Sequence, residues 1–371
     1  MRMDMHYYGV YGLARMAGIA PRAARIIAYA SQYVDDSVSR EERMNPLGGR
    51  LESEVTAHHA GQIQNLDTVD QRKVWVPFHF LPGGRGDGLG ECLVCEKDGP
   101  LAREMLSHHL EMAGAAPFDL ELMGITAHVY ADTFSHRGFS GVSSPLNAVD
   151  VSSIRVKRAD PATKKYLKEK EKSFFRKYNP WTPLSDLWSD IKEVVGGTFA
   201  EGVTSALGHG AVLTYPDLPY LEWSFKYDYR NIGKRHHRAN QQDFLEGCEK
   251  LYHFFCQVSD RLKGRKQRHV DFDKKGETIK EILAPQTGTA ERIKLWTTAI
   301  ASGQLFRPAR MDRELPEYDH QRWDNERDGF RAQRDPQNII RKSVFRFYQA
   351  ASLHRHYVLR EMLPKAGIIL T

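Results

Sequence analysis

Three side chains that commonly bind metal ions follow one another at intervals of four residues: His128, Asp132 and His136. If this stretch is helical, intervals of four and eight residues rotate a side chain by only about 40° and about 80°, so all three line one stripe. The residues around them are apolar and fit a buried helix: Leu120, Leu122, Ile125, Val129 and Phe134. Because a buried imidazole or carboxylate costs free energy unless it is paired or metal-bound, the spacing favours a metal site. The alternatives are a solvent-facing polar stripe and a hydrogen-bonded His–Asp–His cluster in the core.

Two adjacent acids, Asp35 and Asp36, close a predicted helix over residues 21–36. Carboxylates at a helix C-terminus face the negative end of the helix dipole, which is unfavourable unless a cation compensates. One of the two is therefore a candidate metal ligand. The alternative is that one acid caps the following loop and both are hydrated.

Three further histidines and one acid complete the candidate ligands. His6 lies in a predicted helix over residues 5–17, and His79 lies between two phenylalanines that would shield it from water. An imidazole held in that way is either a satisfied core histidine or a ligand. His209 lies between two glycines and can be approached closely, and Asp217 lies between prolines in a rigid turn.

Helical periodicity dominates the chain and predicts a mainly α protein of roughly nine to eleven helices with little strand. The predicted helices cover residues 5–17, 21–36, 99–114, 118–137, 183–208, 239–262, 288–303 and 336–362. A span at 155–178 is dense in Lys and Arg and is also predicted to be helical. Such a helix could contact an anionic surface such as a membrane or a nucleic-acid backbone. The alternative is a solvated helix whose aromatic residues pack on the body of the protein.

The totals describe a globular chain. It has 371 residues, 41% of them hydrophobic, and a formal net charge of +6, which is compatible with phosphate-bearing partners. We expect a metal-binding core over 1–225, with a basic insertion at 141–182, and a C-terminal helical extension over 226–371 that packs on it. No apolar run reaches the ~18 residues of a spanning helix. The first residues lack the apolar region of a signal peptide, so a cytoplasmic location is expected.

Four cysteines are too few for a disulfide framework in a chain of this length. Cys92 and Cys95 form a lone CxxC in a glycine-rich loop. A structural zinc site would need two more ligands, and Cys248 and Cys256 are a poor match at a spacing of eight. The pair is interpreted as two ordinary thiols.

The order of these elements resembles a known superfamily, the zinc-dependent phospholipases C and single-strand-specific fungal nucleases. Its members are helical proteins with three zinc ions, held by an N-terminal His, an Asp at the end of an early helix, a later His, a helix with a His-x3-Asp motif and another His, and a last His with an acid. The stretches MHYYGVYGLARMAGI, SQYVDD, FHFLPGG and GITAHVYADTFSHRGF look particularly like an uncharacterised bacterial branch of it. The resemblance covers about residues 1–225 and implies a multi-helix bundle with a central metal site.

The resemblance also implies which residues bind which ion. A first zinc ion would be held by four residues: His79, His128, Asp132 and one of Asp35 or Asp36. Asp132 would bridge to a second ion, which would be held by His136 and His209 with an acid. His6 would contribute to a third ion. Neutral imidazoles and carboxylates suit zinc, and they also suit manganese or iron.

The chain departs from that superfamily in three places. The relatives bind a metal through the free amine of an N-terminal Trp, whereas here Met1 precedes His6 by five residues. The relatives carry an acid four residues after the last His, where this chain has Leu213, and the acids that compete for the role are Asp217 and Glu201. The superfamily is usually exported, whereas this chain shows no export signal.

Two or three divalent ions held close together suit phosphoester hydrolysis, because they activate a bridging water and neutralise the charge of the transition state. The sequence therefore predicts a metal-dependent phosphodiesterase acting on a phospholipid or a nucleic acid. Asp35 or Asp36 would orient or deprotonate the water, and a basic side chain such as Arg137 could hold the phosphate. The alternative is a non-catalytic helical metalloprotein whose ions hold the fold and whose basic insertion is an interaction surface.

Overall fold

A helical bundle forms most of the computed structural model, which describes residues 1–45, 49–58, 67–177, 207–262, 268–332 and 334–370. The prediction of a mainly α protein is confirmed. The longer helices among these residues are Val10–Met16, Pro21–Asp36, Pro100–Leu110, Asp119–His136, Pro161–Lys177, Asn240–Arg261, Gly276–Leu283, Thr289–Ser302, Gln321–Asp328 and Ser343–His356. No described helix has the length and apolar character needed to cross a membrane.

Shorter helical segments connect the long ones. Three are π-helical: Asp4–Gly9, Gln71–Trp75 and Tyr357–Met362. The short α-helical and 3₁₀ turns are Thr68–Asp70, Val76–Phe78, Leu89–Cys92, Pro145–Asn147, Gly210–Val212, Tyr215–Asp217, Arg310–Arg313, Gly329–Ala332, Pro336–Ile340 and Leu363–Lys365. Several of these turns carry the candidate ligands between the long helices.

The helix Asp119–His136, called the central helix below, is buried at every position from Glu121 to His136. It is enclosed by other helices, and apart from the stripe of candidate ligands most of its buried side chains are apolar. Its neighbours are Pro21–Asp36, Pro100–Leu110, Asn240–Arg261 and Ser343–His356. At Gly124 the backbone of Pro21–Asp36 comes so close that an added Cβ would lie 2.4 Å from the Ile27 carbonyl oxygen. This contact brings the end of that helix, with its two acids, beside the central helix.

Two small antiparallel sheets accompany the bundle. The first pairs β1 (Glu42–Met44) with β2 (Arg50–Glu52). The second has the order β3 (Val149–Lys157), β4 (Glu222–Tyr227) and β5 (His236–Ala239), with Val149 opposite Tyr227 and Glu222 opposite Ala239. A separate hydrophobic cluster that includes Phe139, Trp223 and Phe225 covers this sheet. The larger core joins residues from Met1 to Ile368.

The structure corrects two predicted helices. The basic span 155–178 is not one helix, because Arg155–Lys157 ends β3, Arg158 has a left-handed φ of 52°, and the helix begins at Pro161. The last predicted helix, 336–362, is interrupted between Pro336–Ile340 and Ser343–His356, where Lys342 is extended with ψ 136°. Residues 183–206 of the predicted helix 183–208, and with them the candidate acid Glu201, lie outside the described residues.

Candidate metal centre

All but one of the candidate ligands converge around Asp132, although they come from distant parts of the chain. Their nitrogen and carboxylate oxygen atoms form three groups, and within each group these atoms lie within 4.8 Å of one another. The groups are His6, Asp35 and His128; His79, His128 and Asp132; and His136, His209 and Asp217. The arrangement could hold metal ions.

The Asp132 carboxylate lies at the middle of this cluster and is 1% exposed. Its Oδ1 is 3.2 Å from His6 Nε2. Its Oδ2 is 3.3 Å from His128 Nε2 and 3.4 Å from His79 Nδ1. The two oxygens therefore face different groups, which is the geometry that a bridging carboxylate needs.

Four of the imidazoles are held by carbonyl oxygens of the backbone. The bonds are His128 Nδ1 to Ser31 (2.7 Å), His79 Nε2 to Thr56 (2.8 Å), His136 Nδ1 to His79 (2.8 Å) and His209 Nδ1 to Leu213 (2.6 Å). A carbonyl oxygen only accepts hydrogen bonds, so each of these nitrogens carries the proton. The other nitrogen of each ring faces the cluster and has a lone pair in the neutral form of the ring. Metal-bound histidines are commonly held in this way by an outer hydrogen bond.

These lone pairs face one another and face carboxylates. His79 Nδ1 lies 3.2 Å from His128 Nε2, and His136 Nε2 lies 3.5 Å from Asp217 Oδ1. Neither contact contains a proton to share when the rings are neutral. The Met1 ammonium lies beside the second contact, 3.5 Å from His136 Nε2 and 3.4 Å from Asp217 Oδ1, whereas the first contact is repulsive unless a cation lies between the two nitrogens. Two nitrogens that bind one tetrahedral ion at about 2.0 Å lie about 3.3 Å apart, which agrees with the His79–His128 separation.

His6 adds a fifth imidazole, whose ring nitrogens make no well-aligned hydrogen bond although Nε2 lies 3.2 Å from Asp132 Oδ1. Its side chain is fully buried, both ring nitrogens are unsatisfied, and the ring stacks on His128 with centroids 3.9 Å apart. Burial holds the pKa of His6 well below its usual range, with His128 and the Met1 amino group acting in the same direction. The ring is therefore neutral and offers a lone pair. Because an unsatisfied buried imidazole is costly, this position also favours a bound cation.

The amino group of Met1 lies inside the cluster. It is 2.6 Å from Asp132 Oδ1 and 3.4 Å from Asp217 Oδ1, and it also contacts Ser135 Oγ at 3.3 Å. Burial alone would lower the pKa of this amine, but Asp132, Asp217 and Asp35 outweigh burial and raise it to about 10. The ammonium thus occupies a position where two carboxylates hold a cation. The sequence identified Met1 only as a departure from the superfamily and did not predict this contact. The one signal for it was the short distance along the chain between Met1 and His6.

Asp35 belongs to the cluster and Asp36 does not. Asp35 Oδ1 lies 3.8 Å from His128 Nε2 and 3.9 Å from His79 Nδ1. Asp36 Oδ2 instead accepts hydrogen bonds from the Tyr318 hydroxyl at 2.6 Å and from the Gln32 amide. Adjacent helical residues point about 100° apart, so only one of the pair can face the central helix. The structure therefore places Asp36 outside the candidate ligand set.

Asp217 is the described acid beside the last histidines. Its Oδ2 is 3.9 Å from His209 Nε2. Burial would raise the pKa of Asp217, but the Met1 amino group and the two histidines hold it well below its usual range. Burial lowers the pKa of His209 to about 4, so this ring is neutral at ordinary pH. Leu213, which occupies the position of the superfamily's acid, has a left-handed φ of 49° and supplies the carbonyl that binds His209.

Two acids of the cluster are partly exposed to solvent. The side chains of His6, His128 and Asp132 are 0–1% exposed, whereas those of Asp217 and Asp35 are 15% and 32% exposed. We call these two partly exposed acids, Asp35 and Asp217, the open edge of the cluster, because they are the acids that a small molecule could contact from solvent.

The Arg137 guanidinium is not available to bind a phosphate at the open edge of the cluster. Its guanidinium is paired with Asp243 Oδ2 at 2.9 Å. Its neighbour Arg238 donates to the carbonyl oxygens of Ser135 and Arg137, and the Tyr227 hydroxyl donates to that of Gly138. These bonds from the second sheet satisfy carbonyls at and beyond the end of the central helix, and so they fix His136.

The CxxC residues lie apart from the metal groups found among the described residues. Cys92 and Cys95 are both free thiols. Burial raises the pKa of the Cys95 thiol, which disfavours the thiolate that binds metals. Cys92 Sγ contacts the Gly86 carbonyl. The contacts agree with the interpretation of two ordinary thiols.

Comparison with known proteins gives a family but no activity. Residues 1–362 match the model of the Family of unknown function (DUF6765), so the chain belongs to this family. No curated protein and no solved structure matches the chain.

Proposed function

We propose that this member of the DUF6765 family is a metal-dependent phosphodiesterase that resembles the zinc-dependent phospholipases C and single-strand-specific nucleases. The observation that carries the proposal is the set of imidazole nitrogens directed at buried carboxylates. Four of these rings are oriented by backbone carbonyls, and a fifth, His6, makes no well-aligned hydrogen bond. Nitrogen and carboxylate ligands of this kind suit zinc and also manganese or iron.

Each of the three residue groups would bind a different ion. His79, His128 and Asp132 would hold one ion, and His136, His209 and Asp217 another; His6, with Asp35, would contribute to a third. Bound divalent ions supply a water that is acidic enough to ionise near neutral pH and a positive charge for the phosphoryl oxygens. Asp35 lies at the open edge within 4 Å of two imidazoles, so its carboxylate can accept a proton from a water on that side.

A second candidate function is that of a helical metalloprotein without catalysis. The observation that favours it is the depth of the cluster, since His6, His128 and Asp132 are essentially inaccessible. Ions bound at such a depth would stabilise the contacts between the central helix and its neighbours. The basic helix Pro161–Lys177, with Lys164, Lys165 and Lys168 exposed, would then be an interaction surface.

Metal analysis and hydrolysis test the two candidates together. The protein purified without chelator should contain at least two divalent ions per molecule and should hydrolyse bis(p-nitrophenyl) phosphate. Asp132→Asn and His128→Ala should lose both properties, whereas His253→Ala, a matched change at a histidine that is 58% exposed, should lose neither. Metal retention without turnover would support the structural role, and less than one ion per chain would contradict both candidates.

A further inference from the structure

Arg2 differs from the other buried arginines in having no acid partner. The guanidinium groups of Arg15 and Arg292 each bind a carboxylate, that of Asp312 at 2.6 Å and that of Asp4 at 2.7 Å. Arg2 is half-buried, and none of the described residues places a carboxylate oxygen within 4.0 Å of its nitrogens. Asp217 and Asp4 lie near enough to raise the pKa of Arg2, but no described carboxylate contacts the guanidinium directly, so an anion could form that direct contact.

The partners of Arg2 are neutral hydroxyl groups from three separate elements. Its Nη2 donates to Tyr166 Oη at 2.7 Å and to Thr214 Oγ1, and its Nη1 reaches Thr289 Oγ1 at 3.4 Å. Tyr166 belongs to the helix Pro161–Lys177, and Thr289 begins the helix Thr289–Ser302. A hydroxyl both donates and accepts, so Tyr166 and Thr214 can turn their protons toward an anion held by Arg2.

Arg2 lies beside the open edge of the metal centre. It follows Met1, whose amino group contacts Asp132 and Asp217. Asp217 is also the acid whose charge acts most strongly on Arg2, and Thr214 directly precedes the turn Tyr215–Asp217. Lys170 Nζ lies 5.6 Å from the centre of the Tyr166 ring and adds a second positive charge. Cations thus flank the edge where a substrate would enter.

We propose that Arg2, with the hydroxyls of Tyr166 and Thr214, forms a phosphate-binding subsite next to the metal centre. The planar guanidinium matches two oxygens of a phosphoryl group, which a lysine cannot do in the same way. This inference deepens the proposed function, since it assigns the anion-binding half of the same site. Arg2 would thereby take the phosphate-binding role that the sequence suggested for Arg137, whose guanidinium is paired with Asp243.

Phosphate titration by calorimetry tests the subsite in the full chain as purified. Arg2→Gln should weaken binding of inorganic phosphate by about tenfold to a hundredfold, the range expected for a lost charge-assisted hydrogen bond. Arg2→Lys should lose less, because the charge remains without the fork. The matched control Arg137→Gln should bind phosphate as the parent chain does, and metal content should be equal in all four proteins.

The outcomes separate the subsite from the proposed function. Phosphate binding that depends on Arg2 in a chain without hydrolytic activity would keep the subsite and remove the phosphodiesterase. Equal phosphate affinity in Arg2→Gln and the parent chain, or no phosphate binding by the parent chain, would overturn the subsite. Should Arg2→Gln fail to fold by circular dichroism, an unchanged affinity in Arg2→Lys together with Tyr166→Phe would overturn it instead.

Competition identifies the source of the phosphoryl group. A short-chain phosphatidylcholine and a thymidine dinucleotide would each be titrated against bound inorganic phosphate. Displacement by one of them, weakened in Arg2→Gln, assigns the subsite to lipid headgroups or to nucleic acid. Displacement by neither would contradict a role of the subsite in substrate binding.

Discussion

Mutation of the two adjacent acids that end the helix Pro21–Asp36 should affect different properties, metal affinity for one and stability for the other. Asp35 faces two imidazoles at 3.8 and 3.9 Å, while Asp36 accepts a 2.6 Å hydrogen bond from Tyr318. Asp35→Asn should therefore lower metal affinity and leave the metal-free protein about as stable as before. Asp36→Asn should keep the metal and lower stability. The same chemical change, one residue apart, thus serves as its own control.

The size of each effect follows from the contacts. A hydrogen bond to a charged group contributes about 1.5–3 kcal/mol, so Asp36→Asn should lower the free energy of unfolding by about that amount. With an unfolding entropy of about 2.1 cal/mol/K per residue, a chain of this size should melt about 2–4 °C lower. Loss of a carboxylate ligand by Asp35→Asn should weaken metal binding by at least about tenfold, the scale seen for changes around metal sites.

Two measurements compare the Asp35→Asn and Asp36→Asn variants. Metal competition against a chromogenic chelator gives the affinity, and melting in the presence of a chelator gives the stability of the metal-free chain. The reasoning would be refuted by loss of metal in Asp36→Asn with retention in Asp35→Asn, because the structure brings only Asp35 to the cluster.

Two other predictions concern the central helix and the basic helix. Glu121 is 1% exposed, and burial raises the pKa of its carboxyl from 4.5 to about 7. The folded state then holds a proton that the unfolded state releases, so this residue should cost no stability below pH 4.5 and about 3 kcal/mol above pH 7. Urea unfolding of Glu121→Gln at pH 4.5 and pH 8 should show the variant gaining about that much relative to the parent chain between the two values; a pH-independent difference would contradict the assignment. Lys164 and Lys165 are exposed on Pro161–Lys177, so Lys164→Gln combined with Lys165→Gln should leave hydrolysis of small phosphodiesters unchanged and weaken binding only to large anionic substrates; loss of small-substrate turnover would show that this helix is not peripheral.

The stripe on the central helix could be predicted because helical spacing alone determines it. Intervals of four place His128, Asp132 and His136 on one side whatever the rest of the chain does. That His6 and His79 join them depended on the resemblance, since spacing within one helix says nothing about distant segments. The structure brings these residues within 3.4 Å of Asp132.

The choice between Asp35 and Asp36 could not be made from the sequence. It depends on the rotation of their helix against the central helix and on Tyr318, which lies 282 positions after Asp36 and donates a hydrogen bond to it. Arg137 was misjudged for a related reason, because its partner Asp243 lies 106 residues away on another helix. Partners at such distances leave no local pattern.

The second sheet was missed because its longest strand is largely polar. In β3, Val149–Lys157, serines and charged residues outnumber the apolar positions, and a bulge between Asp150 and Arg155 breaks the alternation. Basic composition then favoured one helix across the whole span. The strand forms because it pairs antiparallel with β4, whose Trp223 and Phe225 are buried in the hydrophobic cluster of this sheet.

The atoms that aim the histidines have a consequence for how this family can vary. The acceptors at Ser31, Thr56 and Leu213 are main-chain oxygens, so exchanging those side chains does not remove them. A substitution at one of these three positions would therefore redirect an imidazole only if it also moved the main chain there. Conversely, a change that only shifts the path of the chain at Thr56 would misdirect His79 while leaving that histidine itself intact.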